Sequence, residues 1–169
     1  KTNHMFLRVD EGDDQIKPFE WSDDYVHFIK DADLVIVSDY NKGYLSDYDL
    51  EKIAFYSKTS ILDSKRKLTN HITKHFDFVK LNEGEWKNNT GLDDENIIIT
   101  LGSKGSMYKG ELFPSPNPQE TIDVSGAGDT FTAAFALSYA VAKSVPNAIK
   151  YANKISSEVV SKRGVQVPS

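Results

Sequence analysis

Cysteine is absent from this chain of 169 residues, and its absence removes three kinds of chemistry. Disulfide bridges, thiolate-bound metals and cysteine nucleophiles all require a thiol. Long apolar stretches are missing as well, since no run approaches the roughly 18 apolar residues that a membrane span needs. No basic-then-apolar secretion signal opens the chain. The sequence therefore predicts a soluble, cytoplasmic protein that does not enter a membrane.

An excess of positive charge is also lacking. The 20 basic and 25 acidic residues give the chain a formal net charge of −5. Because an acidic chain repels phosphate backbones unless its charge is strongly polarised, a nucleic-acid partner is disfavoured. Hydrophobic residues make up 39% of the chain, which is enough to build a real core.

Neither an internal repeat nor a linker divides the sequence, so we predict a single domain over residues 1–169. The first residue is Lys1 rather than Met, and residues 5–10 already form a strand-like pattern. A chain that begins within such a pattern is expected to be a piece of a longer protein.

Strand-like runs alternate with helical patterns through the first hundred residues. Residues 34–38 and 96–101 are nearly continuous β-branched runs, which are typical of strands buried on both faces of a parallel sheet. Weaker strand patterns lie at 60–63 and 76–81, and helical patterns lie at 25–30, 47–57 and from Asn82. This alternation predicts an α/β fold with a largely parallel sheet flanked by helices.

The pattern changes after Thr100 to a hairpin and two long helices. The hairpin is predicted at 106–109 and 111–113. The first helix, at about 126–143, is apolar almost all round, which predicts a buried helix. The second begins at Pro146 and ends before Gly164, where the proline and glycine suit a helix start and stop.

Residues 123–130 carry the strongest chemical pattern. Gly126, Ala127 and Gly128 lead directly into the apolar helix, so a ligand can approach the backbone closely. The first amides of a helix have no partner within it, and the helix dipole adds roughly half a positive charge there. The segment therefore predicts a cradle for an anion such as phosphate.

Asp129 in the first turn of that helix has two interpretations. A carboxylate at a helix N-terminus stabilises the helix, and this alone would explain it. In phosphoryl transfer, however, a carboxylate takes the proton from the attacking hydroxyl while amides hold the phosphoryl group. An ordinary aspartate is ionised at pH 7 and suits that role.

The segment Gly126-Ala127-Gly128-Asp129, with Asp123 upstream, resembles the signature of the ribokinase-like (PfkB) carbohydrate kinases. Residues 82–85 are similar to the Asn-x-x-Glu element of that family, and residues 100–105 to its Thr-x-Gly-x-x-Gly turn. The resemblance implies a ribokinase-like fold that transfers the ATP γ-phosphate to a sugar hydroxyl with Mg²⁺. It assigns Asp129 as the base, Asn82 and Glu85 to the metal, and these residues to the nucleotide: Asn82, Glu85, Thr100, Gly102, Gly105 and Asn153.

Four further segments, residues 7–10, 38–45, 63–65 and 80–82, resemble the bacterial heptose 7-phosphate kinases of the same family. That resemblance places Asp39, Lys42 and Lys65 near the sugar or its phosphate. It covers only the C-terminal half of a family member.

The N-terminal half, which supplies most sugar contacts and the lid in the family, is then missing. The alternative is a non-catalytic nucleotide-binding or interaction fragment of the same fold. An unpaired sheet edge is expected, which invites a homodimer or the missing half as partner.

Other motifs are weaker. A dinucleotide fingerprint lacks its third glycine, and no Gly-Lys-Ser/Thr completes a Walker loop. His71 and His75 lie four residues apart and could share a helical face as metal ligands. The sequence offers no third ligand at a sensible spacing, so it favours a surface pair without metal.

Overall fold

The computed structural model describes residues 15–118 and 126–160. Twelve elements follow in chain order: α1 Asp23–Asp31, β1 Val35–Asp39, α2 Asp47–Tyr56, β2 Ser60–Ser64, α3 Asn70–Thr73, β3 Phe78–Asn82, α4 Glu83–Asn88, β4 Ile97–Thr100, β5 Gly105–Tyr108, β6 Glu111–Pro114, α5 Ala127–Ala142 and α6 Val145–Val160. The predictions on residues 5–10, Asp123 and Gly164 lie outside the described residues.

The six described strands form one sheet in chain order, β1 to β6. The first four are parallel, and β5 and β6 continue the sheet as an antiparallel hairpin. The register pairs Asp39 with Ser64, Asp63 with Lys80, and Asn82 with Thr100. Polar side chains from all four parallel strands therefore meet at the carboxyl edge, where open α/β sheets bind ligands. The predicted α/β fold with a largely parallel sheet is confirmed.

Helices cover both faces of the sheet, because successive strand residues point to opposite sides. Leu62, Val79 and Ile97 join a buried cluster with α2 and α3. Ile61, Phe78 and Ile98, their neighbours in the chain, join a second cluster with α5 and α6. The near-continuous apolar runs of the sequence are thus buried on both faces. No helix among the described residues is long and apolar enough to cross a membrane.

One prediction about α5 is wrong. Its almost uniformly apolar sequence predicted a buried helix, and Phe131 and Phe135 are indeed buried against the sheet and α6. Leu137 and Val141, however, are 63% and 83% exposed. Only one side of α5 packs against other described elements, so composition alone overstated its burial.

The edge formed by β1 has no second neighbour among the described strands, since β1 pairs there with β2 alone. Ile36 of β1 is 41% exposed. The expected open edge, and association through it with a second copy or a missing half, stay predictions.

The turn between β4 and β5 closes on a glycine whose Cβ would collide with the backbone. Gly105 has φ 104°, and a Cβ there would lie 2.1 Å from the carbonyl oxygen of Phe113 and 2.5 Å from the amide nitrogen of Ser115. The close approach of β6, rather than a ligand, suffices to require a glycine at this position.

We predict that Gly105→Ala lowers the free energy of unfolding by at least about 3 kcal/mol, because the methyl group must displace the β6 backbone. Gly91→Ala is the matched control, since Gly91 has φ 85° and no atom within 4 Å of the added Cβ. It should cost only the backbone strain, roughly 1–2 kcal/mol. Urea unfolding of both variants measures the difference, and equal losses would contradict the collision.

Candidate active site

A cleft of about 720 Å³ opens where the carboxyl edge of the parallel strands meets the start of α5. It collects most of the residues that the sequence singled out: Lys65, Asn82, Thr100, Gly102, Gly105, Gly126, Ala127, Gly128, Asp129 and Asn153. Asp39, Lys42 and Glu85 do not line it. The structure therefore brings together segments from five separate parts of the chain.

The first turn of α5 borders this cleft, with Gly126, Ala127, Gly128 and Asp129 among its lining residues. Gly126 precedes the helix in a left-handed conformation, with φ 76°, and no side chain caps the helix from that position. The first intrahelical bond of the segment runs from the Thr130 amide to the Gly126 carbonyl, at 2.8 Å. The amides of Ala127, Gly128 and Asp129 have no acceptor within the helix, so they can bind an anion.

A buried lysine lies beside these amides. A Cβ at Gly128 would stand 2.9 Å from Lys80 Nζ, so the absence of a side chain leaves room for the ammonium. Lys80 lines the cleft but is only 3% exposed, and Nζ donates a hydrogen bond of 3.0 Å to Asp63 Oδ2. Its charge therefore adds to the positive end of α5 at the same point.

Sequence reasoning missed the role of Lys80, although one signal was available. Residues 78–82 read Phe-Val-Lys-Leu-Asn, and a lysine inside a buried strand needs a charged partner. The partner, Asp63, comes from the neighbouring strand and could not be paired with Lys80 by spacing.

Asp63 joins three elements of the site. Besides the contact with Lys80, its Oδ2 accepts a hydrogen bond of 3.1 Å from Thr132 Oγ1 of α5. Its Oδ1 is buried without a hydrogen bond, and Lys65 Nζ lies 3.8 Å away. Asp63 thus ties β2 to β3 and to the helix that forms the anion cradle.

Asn82 and Glu85 form a reciprocal cap at the start of α4. Asn82 Oδ1 accepts from the Glu85 amide at 2.8 Å, and Glu85 Oε2 accepts from the Asn82 amide at 2.7 Å. Glu85 Oε1 accepts from Lys65 Nζ, also at 2.7 Å. The spacing of this pair is therefore explained by a capping box, and its predicted metal role stays a prediction.

Lys65 carries its charge between several carboxylates. Burial alone would lower the pKa of Lys65, but the hydrogen bond to Glu85 and the negative charges of Asp63, Glu85 and Asp129 outweigh it. The pKa of Lys65 is consequently raised above its ordinary value. A lysine that holds its proton more tightly than an ordinary one therefore lines the cleft.

Asn153 reaches the cleft from α6 while holding the hairpin. Its Nδ2 donates to the Phe113 carbonyl at 2.8 Å, and its Oδ1 accepts from Ser106 Oγ at 3.1 Å. Asn153 is buried, and both of its polar atoms have protein partners. Its predicted contact with a nucleotide remains untested, since its hydrogen bonds already explain an asparagine here.

Asp39 lies in a network at the end of β1 and does not line the main cleft. Its carboxylate accepts hydrogen bonds from Arg66 Nε at 2.5 Å, Ser64 Oγ at 2.7 Å and the Asn41 amide at 3.0 Å. Arg66, which the sequence analysis did not single out, also donates to Asp47 and to the Leu45 carbonyl. The pair fixes the loop that follows β1.

A second cavity of about 480 Å³ adjoins this network. Asp39 and Lys42 line it together with Tyr40 and Tyr44, and Tyr40 also lines the main cleft. The two predicted substrate residues at 39 and 42 are therefore neighbours of the main cleft, with a tyrosine between. Whether they contact a sugar stays a prediction.

Burial alone would raise the pKa of the Asp39 carboxyl. The hydrogen bonds from Arg66, Ser64 and the Asn41 amide, with the charge of Arg66, outweigh burial and hold the pKa below its ordinary value. A carboxyl with a lowered folded-state pKa contributes stability that is present above its unfolded pKa, about 3.9, and is lost as pH falls through the folded pKa.

Comparison with solved structures assigns the fold to a known class. The chain matches Arabidopsis thaliana ribokinase complexed with ribose and ATP with a TM-score of 0.71 and 25% identity, over 89% of this chain and 56% of that one. It matches ribokinase from Thermotoga maritima with a TM-score of 0.65 and 19% identity, over 83% and 54%. The fold is ribokinase-like, as the sequence predicted.

Sequence comparison gives the family. The protein-family model described as pfkB family carbohydrate kinase matches residues 49–169, and the chain belongs to this family. It is 30% identical to the bifunctional protein HldE of a Nitratiruptor species over 156 residues, 80% of this chain and 34% of that protein. It is 42% identical to ribokinase of Bacillus subtilis over 74 residues, 41% and 25%. The chain spans about a third of the length of its HldE relatives.

We predict that Asp39→Asn lowers the free energy of unfolding by about 3–5 kcal/mol at pH 7, because it leaves the guanidinium of Arg66 without its buried partner. The difference from the unchanged protein should shrink as pH falls from about 3.9, the pKa in the unfolded chain, through the lower pKa of Asp39 in the folded chain. Urea unfolding at pH 7 and at pH 3 measures both values.

The matched control is Asp47→Asn, which removes the other carboxylate on Arg66. The side chain of Asp47 is 68% exposed, against 5% for Asp39. An exposed ion pair contributes at most about 1 kcal/mol. A pH-independent effect of Asp39→Asn, or equal effects of the two substitutions, would contradict this account.

Proposed function

We propose that this chain is the nucleotide-binding and catalytic portion, as one domain over residues 1–169, of an ATP-dependent kinase that phosphorylates a sugar or sugar-phosphate hydroxyl. The observation that carries the proposal is the convergence of three groups in one cleft. The uncapped amides of residues 127–129, the buried ammonium of Lys80 and the exposed carboxylate of Asp129 meet at the start of α5. An anion site with an adjacent base is what phosphoryl transfer requires.

The cleft fits ATP in size and charge. A volume of about 720 Å³ lies within the range of nucleotide-sized ligand sites. Thr100, Gly102 and Gly105 line the same cleft and would lie along the nucleotide. Lys65 and Lys80 would face its phosphates, because both residues line the cleft and Lys80 Nζ lies close to Gly128.

A hydrated Mg²⁺ ion fits the site, with its bound water molecules in contact with Asn82 and Glu85. It prefers oxygen ligands and keeps several waters in nucleotide sites. The side chains of Asn82 and Glu85 already accept hydrogen bonds from each other's amides and from Lys65, which leaves outer-sphere contact as their role. When bound, the metal supplies neutralisation of charge on the phosphates.

The residues of the chain itself would perform the remaining steps. The amides of Ala127, Gly128 and Asp129 orient the transferring phosphoryl group and stabilise its charge. Asp129 accepts the proton of the attacking sugar hydroxyl as its oxygen bonds to the γ-phosphorus, while the bond from that phosphorus to the β–γ bridging oxygen breaks and ADP leaves. Asp63 holds Lys80 and α5 in register, so that these groups keep their relative positions.

Heptose 7-phosphate is the proposed acceptor. The resemblance of residues 38–45, 63–65 and 80–82 to heptose 7-phosphate kinases supports it, as do the several HldE relatives at 30–33% identity. The cavity beside Asp39, Lys42 and Tyr44 supports a sugar-phosphate subsite next to the nucleotide cleft. Other sugar acceptors remain to be separated from it by a substrate panel.

A non-catalytic nucleotide-binding or interaction fragment is the second candidate. It is favoured by one observation, that the chain spans about a third of its HldE relatives. Both candidates are expected to bind a nucleotide, but only the kinase is expected to transfer phosphate. A protein that joins this chain to its N-terminal portion, assayed for phosphate transfer to a panel of sugar phosphates, distinguishes them.

We predict that Asp129→Asn leaves ATP binding to this chain nearly unchanged and lowers the turnover of the longer protein by about 10²–10⁴-fold, which is the usual contribution of a positioned base. Calorimetric titration of ATP with Mg²⁺ and a coupled ADP assay measure the two quantities. Asp33→Asn, which alters an 87%-exposed side chain near Lys58, is the control and should change neither. Normal turnover of Asp129→Asn would refute the base assignment.

We predict that Lys80→Met weakens ATP binding about 10–100-fold, since a charge-assisted contact to phosphate contributes about 1.5–3 kcal/mol. Lys80→Arg keeps the positive charge and should weaken ATP binding less than Lys80→Met does. Lys87→Met, at an exposed lysine paired with Glu83 on α4, is the control. Circular dichroism establishes that each variant is folded, and binding equal to that of the unchanged chain would remove Lys80 from the anion site.

A further inference from the structure

Three potential metal ligands converge on the surface of α2 and α3. Glu51 belongs to α2, His71 to α3, and His75 follows α3 by two residues. His71 Nε2 lies 2.8 Å from Glu51 Oε1, and the two imidazole rings stand 5.5 Å apart at 86°. One donor atom from each of the three residues lies within 4.8 Å of the other two.

The third ligand could not be found from sequence spacing. His71 and His75 are close in the sequence, but Glu51 belongs to α2, which precedes β2 in the chain, whereas α3 follows it. Core packing brings α2 close to α3, because Leu50 and Ile53 of α2 share one buried cluster with Ile72 and Phe76. The three side chains therefore project from backbone that the core holds in place.

We propose that Glu51, His71 and His75 form a surface site for a divalent transition-metal cation of the Zn²⁺ type. Two imidazoles and one carboxylate are a ligand set that such cations accept, with water in the fourth position. Donor atoms around a tetrahedral Zn²⁺ stand about 3.3 Å apart, given bonds of about 2.0–2.1 Å. The observed separations, from 2.8 Å to at most 4.8 Å, bracket that value, and exposed side chains can adjust by rotation.

This site differs from the proposed Mg²⁺ contact in place and in chemistry. None of the three residues lines the main cleft or the cavity beside Asp39. Imidazole nitrogens suit Zn²⁺, Ni²⁺ and Cu²⁺, whereas Mg²⁺ requires oxygen ligands. The cation would bridge α2 to the segment between α3 and β3. It would stabilise the folded chain because it binds the folded state and not the unfolded state.

The test is a calorimetric titration of the 169-residue chain, without an affinity tag, with ZnCl₂ and separately with MgCl₂ at about pH 7.5. We expect one Zn²⁺ per chain, no Mg²⁺ binding at Glu51, and a higher melting temperature with Zn²⁺. His71→Gln and His75→Gln should each weaken Zn²⁺ binding at least about tenfold, and Glu51→Gln should weaken it as well. The absence of cysteine removes the commonest competing ligand.

The matched control is His27→Gln. His27 is an exposed histidine that also lies near one carboxylate, 3.2 Å from Asp31 Oδ2, and it is not part of the three-residue cluster found among the described residues. It should bind Zn²⁺ like the unchanged chain. Absence of Zn²⁺ binding, or equal binding by His71→Gln, His75→Gln and His27→Gln, overturns the proposal.

Discussion

The buried ion pair between Lys80 and Asp63 is the interaction on which the cleft depends. It joins two neighbouring parallel strands at their carboxyl ends, and Thr132 adds α5 to the same carboxylate. Breaking such a pair leaves an uncompensated charge in the interior, at a cost of about 3–5 kcal/mol. The pair therefore fixes the start of α5 over the sheet and puts a positive charge beside its amides.

A second network, around Asp39 and Arg66, organises the neighbouring loop in the same way. In both networks a carboxylate at the end of a parallel strand binds a basic side chain from the adjacent strand or its following loop. At the carboxyl edge of the sheet, the carboxylates of Asp39 and Asp63 are therefore both paired with basic side chains. Asp39 and Lys65, which resemble substrate ligands in the sequence, also hold structural partners in Arg66 and Glu85.

Much of the fold could be predicted from local patterns. The strands at 34–38 and 96–101 and the helix at 47–57 agree with β1, β4 and α2 within one or two residues, because burial on both faces and helix caps leave strong local signals. The short helix α3 was missed, and the burial of α5 was overstated. Four residues carry too little periodicity, and an apolar helix does not reveal which side its neighbours cover.

By itself the sequence determined the alternation of strands and helices, the glycine-rich start of α5 and its following acid, since these depend on residues adjacent in the chain. The tertiary structure alone decided that Lys80 is paired with Asp63, that Asp39 holds Arg66, and that Glu51 reaches the two histidines. Each of these contacts joins residues on different elements, and strand register and core packing set their distances. Charge pairing across a sheet has no fixed sequence spacing, so only the folded chain can specify it.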